Sequence, residues 1–240
     1  MNADFILSEL LSIADAKKAM FLQRFFKCGP GEYAEGDVFL GIVVPLIRNI
    51  VKNNLATPLE ELQKLLESKY HEARLCAFLI ASTQFKKASG DKRTRIYEFF
   101  LSNTRYANNW DLVDVPYPHV VGAYLLDKDR SILYELAGSK SLWEQRISIV
   151  STIIFIRNND FFDTLALSEK LFSHKHDLIH KAIGWMLREV GRRDRDTLTA
   201  FIERNSGKMA RTTLRYAIEH YPEDMRKYFL NKDKKGKNAQ

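Results

Sequence analysis

The sequence predicts an all-α protein, an α-α superhelix of stacked helix pairs, and three observations lead to that fold class. Apolar residues recur at three- and four-residue spacing along most of the 240 residues, whereas the alternation typical of strands is nearly absent. Residues of similar setting recur about every 36 positions, as in helical repeat proteins, at Arg74, Trp110, Arg146 and Lys181. No long linker divides the chain.

The N-terminal elements are predicted from periodicity and from helix-breaking residues. Phe5 to Phe26 has helical spacing and ends at Gly29-Pro30-Gly31, where no helix can continue. Pro45 starts an amphipathic run through Val51. Thr57-Pro58-Leu59-Glu60 then opens a helix, with a capping residue, a proline in the first position and an acid in the first turn.

Helices alternate with short polar breaks over the rest of the chain. We expect them near 58–68, 71–84, 90–102, 107–124, 128–137, 141–156, 160–172, 176–190, 194–204, 207–219 and 222–230. The second helices of successive pairs begin alike, at His71, Trp143 and Ile179, with a polar turn that carries a cation. The spacing is HEAT-like, and it predicts one domain over residues 1–230 with an N-terminal helical cap. Residues 231–240 form a basic tail that we expect to be disordered.

The positive charge of the chain lies near its C-terminal end. Residues 1–180 hold 22 basic and 22 acidic side chains, whereas residues 181–240 hold 15 basic and 8 acidic ones, which accounts for the net charge of +7. Such asymmetry favours nucleic acid or an anionic membrane as partner.

The cysteines and the N-terminal residues indicate the cellular compartment of the protein. Cys28 and Cys76 form no CxxC pair, which argues for a reducing environment and against a disulfide scaffold or a thiolate zinc site. The N-terminal residues carry acids where a signal peptide needs lysines, and no apolar run reaches the length of a membrane span. We therefore expect a soluble cytoplasmic protein.

Trp110 and Asp114 are the residues with the most distinctive setting. They are four apart, so on a helix they share one face, and the repeat register puts Trp110 where other repeats have a cation. A groove-facing aromatic ring with a carboxylate suggests a reactive point. The residues alone also allow Trp110 to be core and Asp114 to end the helix before Pro116 and Pro118.

The cations of the later repeats predict a surface for a polyanion. Arg146 could hold a phosphate by two parallel hydrogen bonds or form a surface ion pair. A stripe at helical spacing runs through Lys181, Trp185, Arg188 and Arg192, and Lys208, Arg211 and Arg215 extend it. A charged stripe can also be an ordinary solvated face, although a tryptophan within it favours a ligand.

A metal or a cofactor is not expected. His176 and His180 are four apart, but neither a helical acid in metalloprotease order nor a cysteine accompanies them. No phosphate-binding glycine loop, nucleophile elbow or kinase motif is present.

From about Phe21 to Phe229 the chain resembles the AlkD-like DNA alkylation repair glycosylases, a family of HEAT-like repeat proteins. The strings that carry the resemblance are Phe39-Leu40-Gly41-Ile42 with Pro45 and Arg48, Trp110-Asp111-Leu112-Val113-Asp114, Trp143-Glu144-Gln145-Arg146, and Lys181 to Glu189. Gln145 departs from the pattern, since many members have a second arginine there.

The resemblance implies a function and a site. The catalytic carboxylate falls on Asp114, the two cleft tryptophans on Trp110 and Trp185, and the phosphate-holding arginine on Arg146. The implied reaction is hydrolytic excision of purines alkylated on N3 or N7, such as 3-methyladenine and 7-methylguanine, from duplex DNA without base flipping. We expect further DNA contacts from Arg74, Lys181, Arg188, Arg211 and Arg215.

Two other hypotheses remain open. The chain could bind damaged or branched DNA without catalysis, or it could be a HEAT-type scaffold whose groove takes an acidic peptide. No residue pattern demands more than a monomer, and double-stranded DNA with alkylated bases is the expected partner.

Overall fold

The computed structural model describes the backbone of residues 1–237 and the side chains of residues 1–232. Apart from one isolated bridge between Val38 and Tyr70, its regular elements are helices, which confirms the all-α class. The contacts divide the chain into two compact units, an N-terminal unit, Met1–Tyr124, and a C-terminal unit that begins at Leu125. Within the described residues, no helix combines the length and the apolar character needed to cross a membrane.

The N-terminal unit contains seven α-helices. They are α1 (Ala3–Ser12), α2 (Ala16–Phe25), α3 (Val44–Asn53), α4 (Leu59–Leu66), α5 (His71–Lys87), α6 (Gly90–Ser102) and α7 (Trp110–Asp114), with a 3-10 turn at Thr104–Tyr106 and a π-turn at Pro118–Gly122.

The C-terminal unit contains the remaining helices of the described chain. They are α8 (Ser131–Ala137), α9 (Leu142–Val150), α10 (Ile153–Arg157), α11 (Phe162–Leu171), α12 (Asp177–Arg193), α13 (Arg195–Asn205), α14 (Arg211–Ala217) and α15 (Glu223–Lys237). Two 3-10 turns, Leu125–Asp127 and Ser206–Lys208, complete this unit.

The two units form their cores around one long helix each. In the N-terminal unit α5 is buried on nearly all sides, and Phe78 contacts Phe100 and Tyr117 with ring centroids 5.2 and 5.4 Å away. In the C-terminal unit α12 buries one face only and packs against α9, α13 and α14. Gly184 permits the contact with α14, because a Cβ there would lie 2.5 Å from Cβ of Tyr216.

Three segments predicted as single helices are broken in the structure. The segment Phe5 to Phe26 divides because Asp15 caps a new helix, accepting hydrogen bonds from the backbone N–H groups of Lys17 and Lys18. The segment 107–124 stops early as α7, since Pro116 and Pro118 cannot donate the backbone hydrogen bonds of a longer helix. The segment 141–156 divides into α9 and α10.

The C-terminal segment also differs from its prediction. We expected a disordered tail from Asn231, but α15 continues to Lys237. Lys232 forms an ion pair with Glu203, which holds this part of the helix against the unit. Residues 238–240 of the predicted tail lie outside the described residues.

Candidate functional site

Helix α7 carries both residues with the most distinctive setting in the sequence. Asn109 caps it, with Oδ1 accepting from the backbone N–H of Trp110 at 2.9 Å and Nδ2 donating to the carbonyl oxygen of Phe26 at 3.2 Å. With only five residues, α7 cannot be stable by itself, so these tertiary contacts are what place it.

Trp110 is half-buried against an aromatic cluster. Its ring stacks on Phe26, with centroids 5.0 Å apart and an interplanar angle of 23°, and Phe25 meets it edge-on with centroids 6.0 Å apart. Phe25 in turn stacks on Phe21 at 6.4 Å. Phe21 and Phe25 are 67% and 54% exposed, so the cluster presents aromatic surface to solvent beside Trp110.

The two carboxylates of α7 have different environments. Asp111 is buried, and its Oδ2 lies 2.8 Å from Nε2 of His71. Asp114 is half-buried and lies on the same helical turn as Trp110. Asp111 therefore belongs to the packing of the unit, and Asp114 is the carboxylate that a ligand of this helix could meet.

Asp111 is part of a buried cluster of charges, here called the His71 network and made of Asp37, His71, Arg74 and Asp111. Nδ1 of His71 lies 2.9 Å from Oδ2 of Asp37, and the guanidinium of Arg74 forms an ion pair with the same carboxylate. Burial opposes the charge of His71, but Asp111 and Asp37 outweigh it and raise its pKa from 6.5 to about 9. Burial likewise opposes the ionisation of Asp37, yet the hydrogen bond from His71 and the charge of Arg74 hold its pKa below 3.8.

The position of Arg74 corrects one expectation. The sequence predicts a DNA contact, but the residue is 6% exposed, and its guanidinium donates to the carbonyl oxygen of Ser68 at 2.9 Å and to Asn108 Oδ1 at 3.1 Å, besides Asp37. Because a buried carboxylate must be neutralised, the cation of this repeat faces the protein.

In the C-terminal unit the predicted cations surround a surface cleft. The cleft has a volume of about 590 Å³ and is lined by Asp177, Lys181, Arg188, Thr212, Arg215, Tyr216, Glu219 and Arg226. Nζ of Lys181 lies 2.8 Å from Asp177, and Arg188 is paired with Glu219. Four cations and two acids leave the lining net positive, which suits an anionic ligand.

The other predicted residues of this unit lie in two settings. Arg215 and Arg211 are exposed, and Arg211 donates to the carbonyl oxygen of Leu230. Arg146 is buried and donates through Nη1 to the carbonyl oxygen of Leu178. Its predicted phosphate contact stays a prediction.

Trp185 lies on α12 between Lys181 and Arg188, as the predicted stripe requires, and is half-buried. Within residues 125–232 no aromatic ring stacks on it, and part of the indole meets solvent.

The predicted pair, His176 and His180, lies beside His174, and local hydrogen bonds hold all three imidazoles. His174 Nε2 lies 2.8 Å from Oε1 of Gln145, and His176 accepts from the backbone N–H of Leu178 through Nδ1. Burial lowers the pKa of the His174 and His176 imidazoles, which keeps them neutral near pH 7. Across the described residues, no three His, Cys, Asp or Glu side chains are arranged to hold a metal ion.

Two features of the site escaped sequence reasoning. The partners of His71 are 34 and 40 residues away, and Phe26 is 83 residues from Asn109, to which its carbonyl oxygen is bonded. The local sequence offers one signal for the His71 network, namely Asp111. This acid directly follows Trp110, and it does not lie on the solvent-facing side of α7.

Comparisons with known proteins agree with this description. The model of a family described as DNA alkylation repair enzyme matches residues 6–221. A solved structure, a predicted DNA alkylation repair enzyme from Enterococcus faecalis, is similar with a TM-score of 0.67 and 15% identity, and the match covers 88% of this chain and 97% of that one. At this identity the likeness shows the fold alone. None of the curated proteins matches the chain.

Proposed function

Because the chain belongs to the DNA alkylation repair enzyme family, we propose that it is a DNA glycosylase for cationic alkylpurines. The substrate is duplex DNA with purines alkylated on N3 or N7, such as 3-methyladenine and 7-methylguanine, and the reaction is hydrolysis of the N-glycosidic bond. The observation that carries the proposal is the half-buried carboxylate of Asp114, which shares one short helix with Trp110.

The chemistry of the substrate explains why one carboxylate suffices. Glycoside hydrolysis ordinarily needs an acid to protonate the leaving group and a second carboxylate as base or nucleophile. A purine alkylated on N3 or N7 already carries a positive charge, so it leaves without protonation. The remaining task is to stabilise the cationic character that develops on the deoxyribose.

We assign that task to the carboxylate of Asp114, which also positions the attacking water at the anomeric carbon. The ring of Trp110 stacks on Phe26, and this contact fixes the orientation of the indole plane. Packing of an indole on the sugar favours positive charge there through the ring quadrupole, worth roughly 1–2 kcal/mol for each ring when water is excluded. We assign this role to Trp110 and, as the family resemblance implies, to Trp185.

The cations of the C-terminal unit are assigned to the DNA backbone. Lys181, Arg188 and Arg215 line one cleft, and an incoming phosphate can replace Asp177 or Glu219 as their partner. Arg211 and Arg146 complete the proposed set. Arg74 is left out because its guanidinium neutralises the buried carboxylate of Asp37, an ion pair that a phosphate contact would have to break.

The oligomeric state, the cellular compartment and the mode of DNA binding are also part of the proposed function. We infer a cytoplasmic monomer that binds along the DNA backbone and leaves the damaged base stacked in the duplex. This mode needs a surface that tracks phosphates, for which the net-positive cleft is suited, and it needs no deep pocket for a flipped base.

Substitution of Asp114 tests the reaction. Release of 7-methylguanine from methylated duplex DNA, measured in single turnovers, is expected to fall at least about 100-fold in Asp114→Asn, because the variant keeps the shape and removes the charge. Binding of the same duplex should change little. Asp196→Asn, which removes an exposed acid on α13, is the matched control and should keep the wild-type rate.

The outcomes separate the competing functions. Release by Asp114→Asn at the wild-type rate contradicts the assigned chemistry. Tight, salt-sensitive binding by the wild-type protein without any release would instead identify a DNA binder that lacks catalysis.

A further inference from the structure

We propose that His71 is a positioning residue for base release: held as a doubly protonated imidazolium, it fixes Asp111 and the ring stack beneath Trp110, and so sets the place of α7. The inference rests on the proposed function, in that α7 carries the reacting carboxylate. The evidence for it comes from the N-terminal unit alone.

Two ring protons satisfy both contacts of His71 with ionised carboxylates. Nδ1 lies 2.9 Å from a carboxylate oxygen of Asp37, and Nε2 lies 2.8 Å from one of Asp111, in a ring that is 1% exposed. A neutral imidazole has one donor, so one nitrogen would then point its lone pair at a carboxylate oxygen. The imidazolium donates to both carboxylates and so links Asp37, on the segment before α3, to Asp111 on α7.

Hydrogen bonding provides the first connection from His71 to the reactive helix. Asp111 is the residue after Trp110 and lies three positions before Asp114. A helix of five residues depends on its tertiary contacts for its position. The bond from His71 to Asp111 and the bond from Asn109 to the carbonyl oxygen of Phe26 are two such contacts at the start of α7.

Ring stacking provides the second connection. The imidazole lies 4.2 Å from the ring of Phe39 at 19°, Phe39 lies 5.0 Å from Phe26 at 17°, and Phe26 lies 5.0 Å from Trp110 at 23°. Four nearly parallel rings therefore lead from the buried cation to the half-exposed indole. The imidazolium over Phe39 is also in cation–π geometry, which favours the charged form.

The charges around His71 make the network nearly neutral when the imidazole is protonated. Asp37 faces it from the segment before α3, Asp111 from α7, and Arg74 and Glu72 from α5. Glu72 is held separately, because its carboxylate accepts from the backbone N–H groups of residues 40, 41 and 42.

Loss of the ring proton breaks this balance. Cys28 lies on the same segment as Asp37, between α2 and α3. Burial and, next, the charge of Asp37 raise the pKa of its thiol to about 11. The thiol therefore stays neutral over the pH range in which His71 titrates. A neutral His71 leaves two buried carboxylates for one guanidinium and can donate to only one of them. The link to Asp37 or the link to Asp111 must then weaken.

Nuclear magnetic resonance on the wild-type protein tests the connection without any activity. With ¹⁵N-labelled histidine, His71 is expected to show both ring N–H protons at pH 7 and to lose one with a midpoint near 9. The indole N–H signal of Trp110, assigned with Trp110→Phe, should shift with the same midpoint. A singly protonated ring at pH 7, or a Trp110 signal that ignores the titration, overturns the inference.

Kinetics of His71→Gln test the consequence. Single-turnover release of 7-methylguanine should fall about 10- to 100-fold, the scale expected when a reacting group is misplaced by about 1 Å. Affinity for a duplex with an abasic-site analogue should stay within about three-fold, since the variant leaves the cations of the C-terminal unit intact. The wild-type rate should decline toward pH 9, after correction for spontaneous release, and the variant should lose that decline.

Two further variants make the kinetic test decisive. His220→Gln, at an exposed histidine of the C-terminal unit, is the control and should behave as wild type. Asp111→Asn removes the charge from the link to α7 and leaves the link to Asp37 in place, and it replaces His71→Gln if that protein does not fold. Its rate should fall in the same way. A folded variant of either residue with the wild-type rate and pH profile refutes the inference. Absence of release by the wild-type protein refutes the proposed function instead. The resonance experiment then decides on His71 by itself.

Discussion

Arg74 of the N-terminal unit and Lys181 of the C-terminal unit share a register in the sequence but have opposite settings in the fold. Arg74 is 6% exposed and neutralises the buried Asp37, whereas the side chain of Lys181 is 42% exposed and pairs with the half-exposed Asp177. The first cation is surrounded by protein, and the second lines an open cleft.

The difference follows from the helices that carry them. Helix α5 is buried on nearly all sides, so every polar residue on it needs a partner inside the unit. Helix α12 buries one apolar face and leaves its stripe of cations at the surface. A repeat register therefore tells which residues correspond, but the burial of each helix decides whether a cation holds the protein together or meets a ligand.

The largest expected effect separates these two roles by stability. Arg74→Met should lower the free energy of unfolding by about 3–5 kcal/mol, because it leaves a buried carboxylate without its cation. Lys181→Met should cost less than about 0.5 kcal/mol, as is usual for an exposed ion pair. Urea denaturation of both variants and the wild type measures the contrast, and equal losses would contradict it.

The pH dependence of stability sharpens the description of the N-terminal unit. Because the pKa of His71 is raised from 6.5 to about 9 on folding, its contribution is complete below about pH 6.5 and is lost as the pH rises to about 9. The free energy of unfolding should therefore decline over this range, by at most about 1.4 kcal/mol per pH unit for one proton.

The same measurement on His71→Gln isolates that contribution. The lowered pKa values of His174 and His176 act in the opposite direction, since their neutral forms stabilise the fold as the pH rises through 6.5. These groups are common to both proteins, so the difference between wild type and variant should retain only the alkaline decline. A difference that does not fall between pH 6.5 and 9 would show that folding does not raise the pKa of His71.

The smallest effect concerns DNA affinity. Lys181→Met should weaken binding to any duplex and reduce the slope of log affinity against log salt concentration by about 1, as expected for the loss of one phosphate contact. Lys64→Met is the matched control, because Lys64 is an exposed lysine paired with Glu61 on its own helix at 2.6 Å. If both variants have the same slope, the cleft is not a phosphate site.

The sequence predicts the helices of this protein well and the role of each buried polar residue poorly. Apolar periodicity and capping residues indicate the helices, and Pro116 with Pro118 already allows α7 to be short. The stripe on α12 also lies where its spacing predicts, since one face of that helix is apolar throughout.

The His71 network could not be predicted in the same way. Its members lie on the segment before α3, on α5 and on α7, so only the folded chain brings them together. Nothing in the local sequence distinguishes a buried Arg74 from an exposed Lys181, because burial of α5 on all sides depends on helices distant in sequence.

The central claim is that the carboxylate of Asp114 stabilises positive charge on the deoxyribose, and the most direct measurement compares two abasic-site analogues in duplex DNA. One carries a cationic pyrrolidine and the other a neutral tetrahydrofuran at the same position. We expect the wild-type protein to bind the cationic analogue at least about 10-fold more tightly, and Asp114→Asn to lose that preference. The same ratio of affinities in both proteins would contradict the claim.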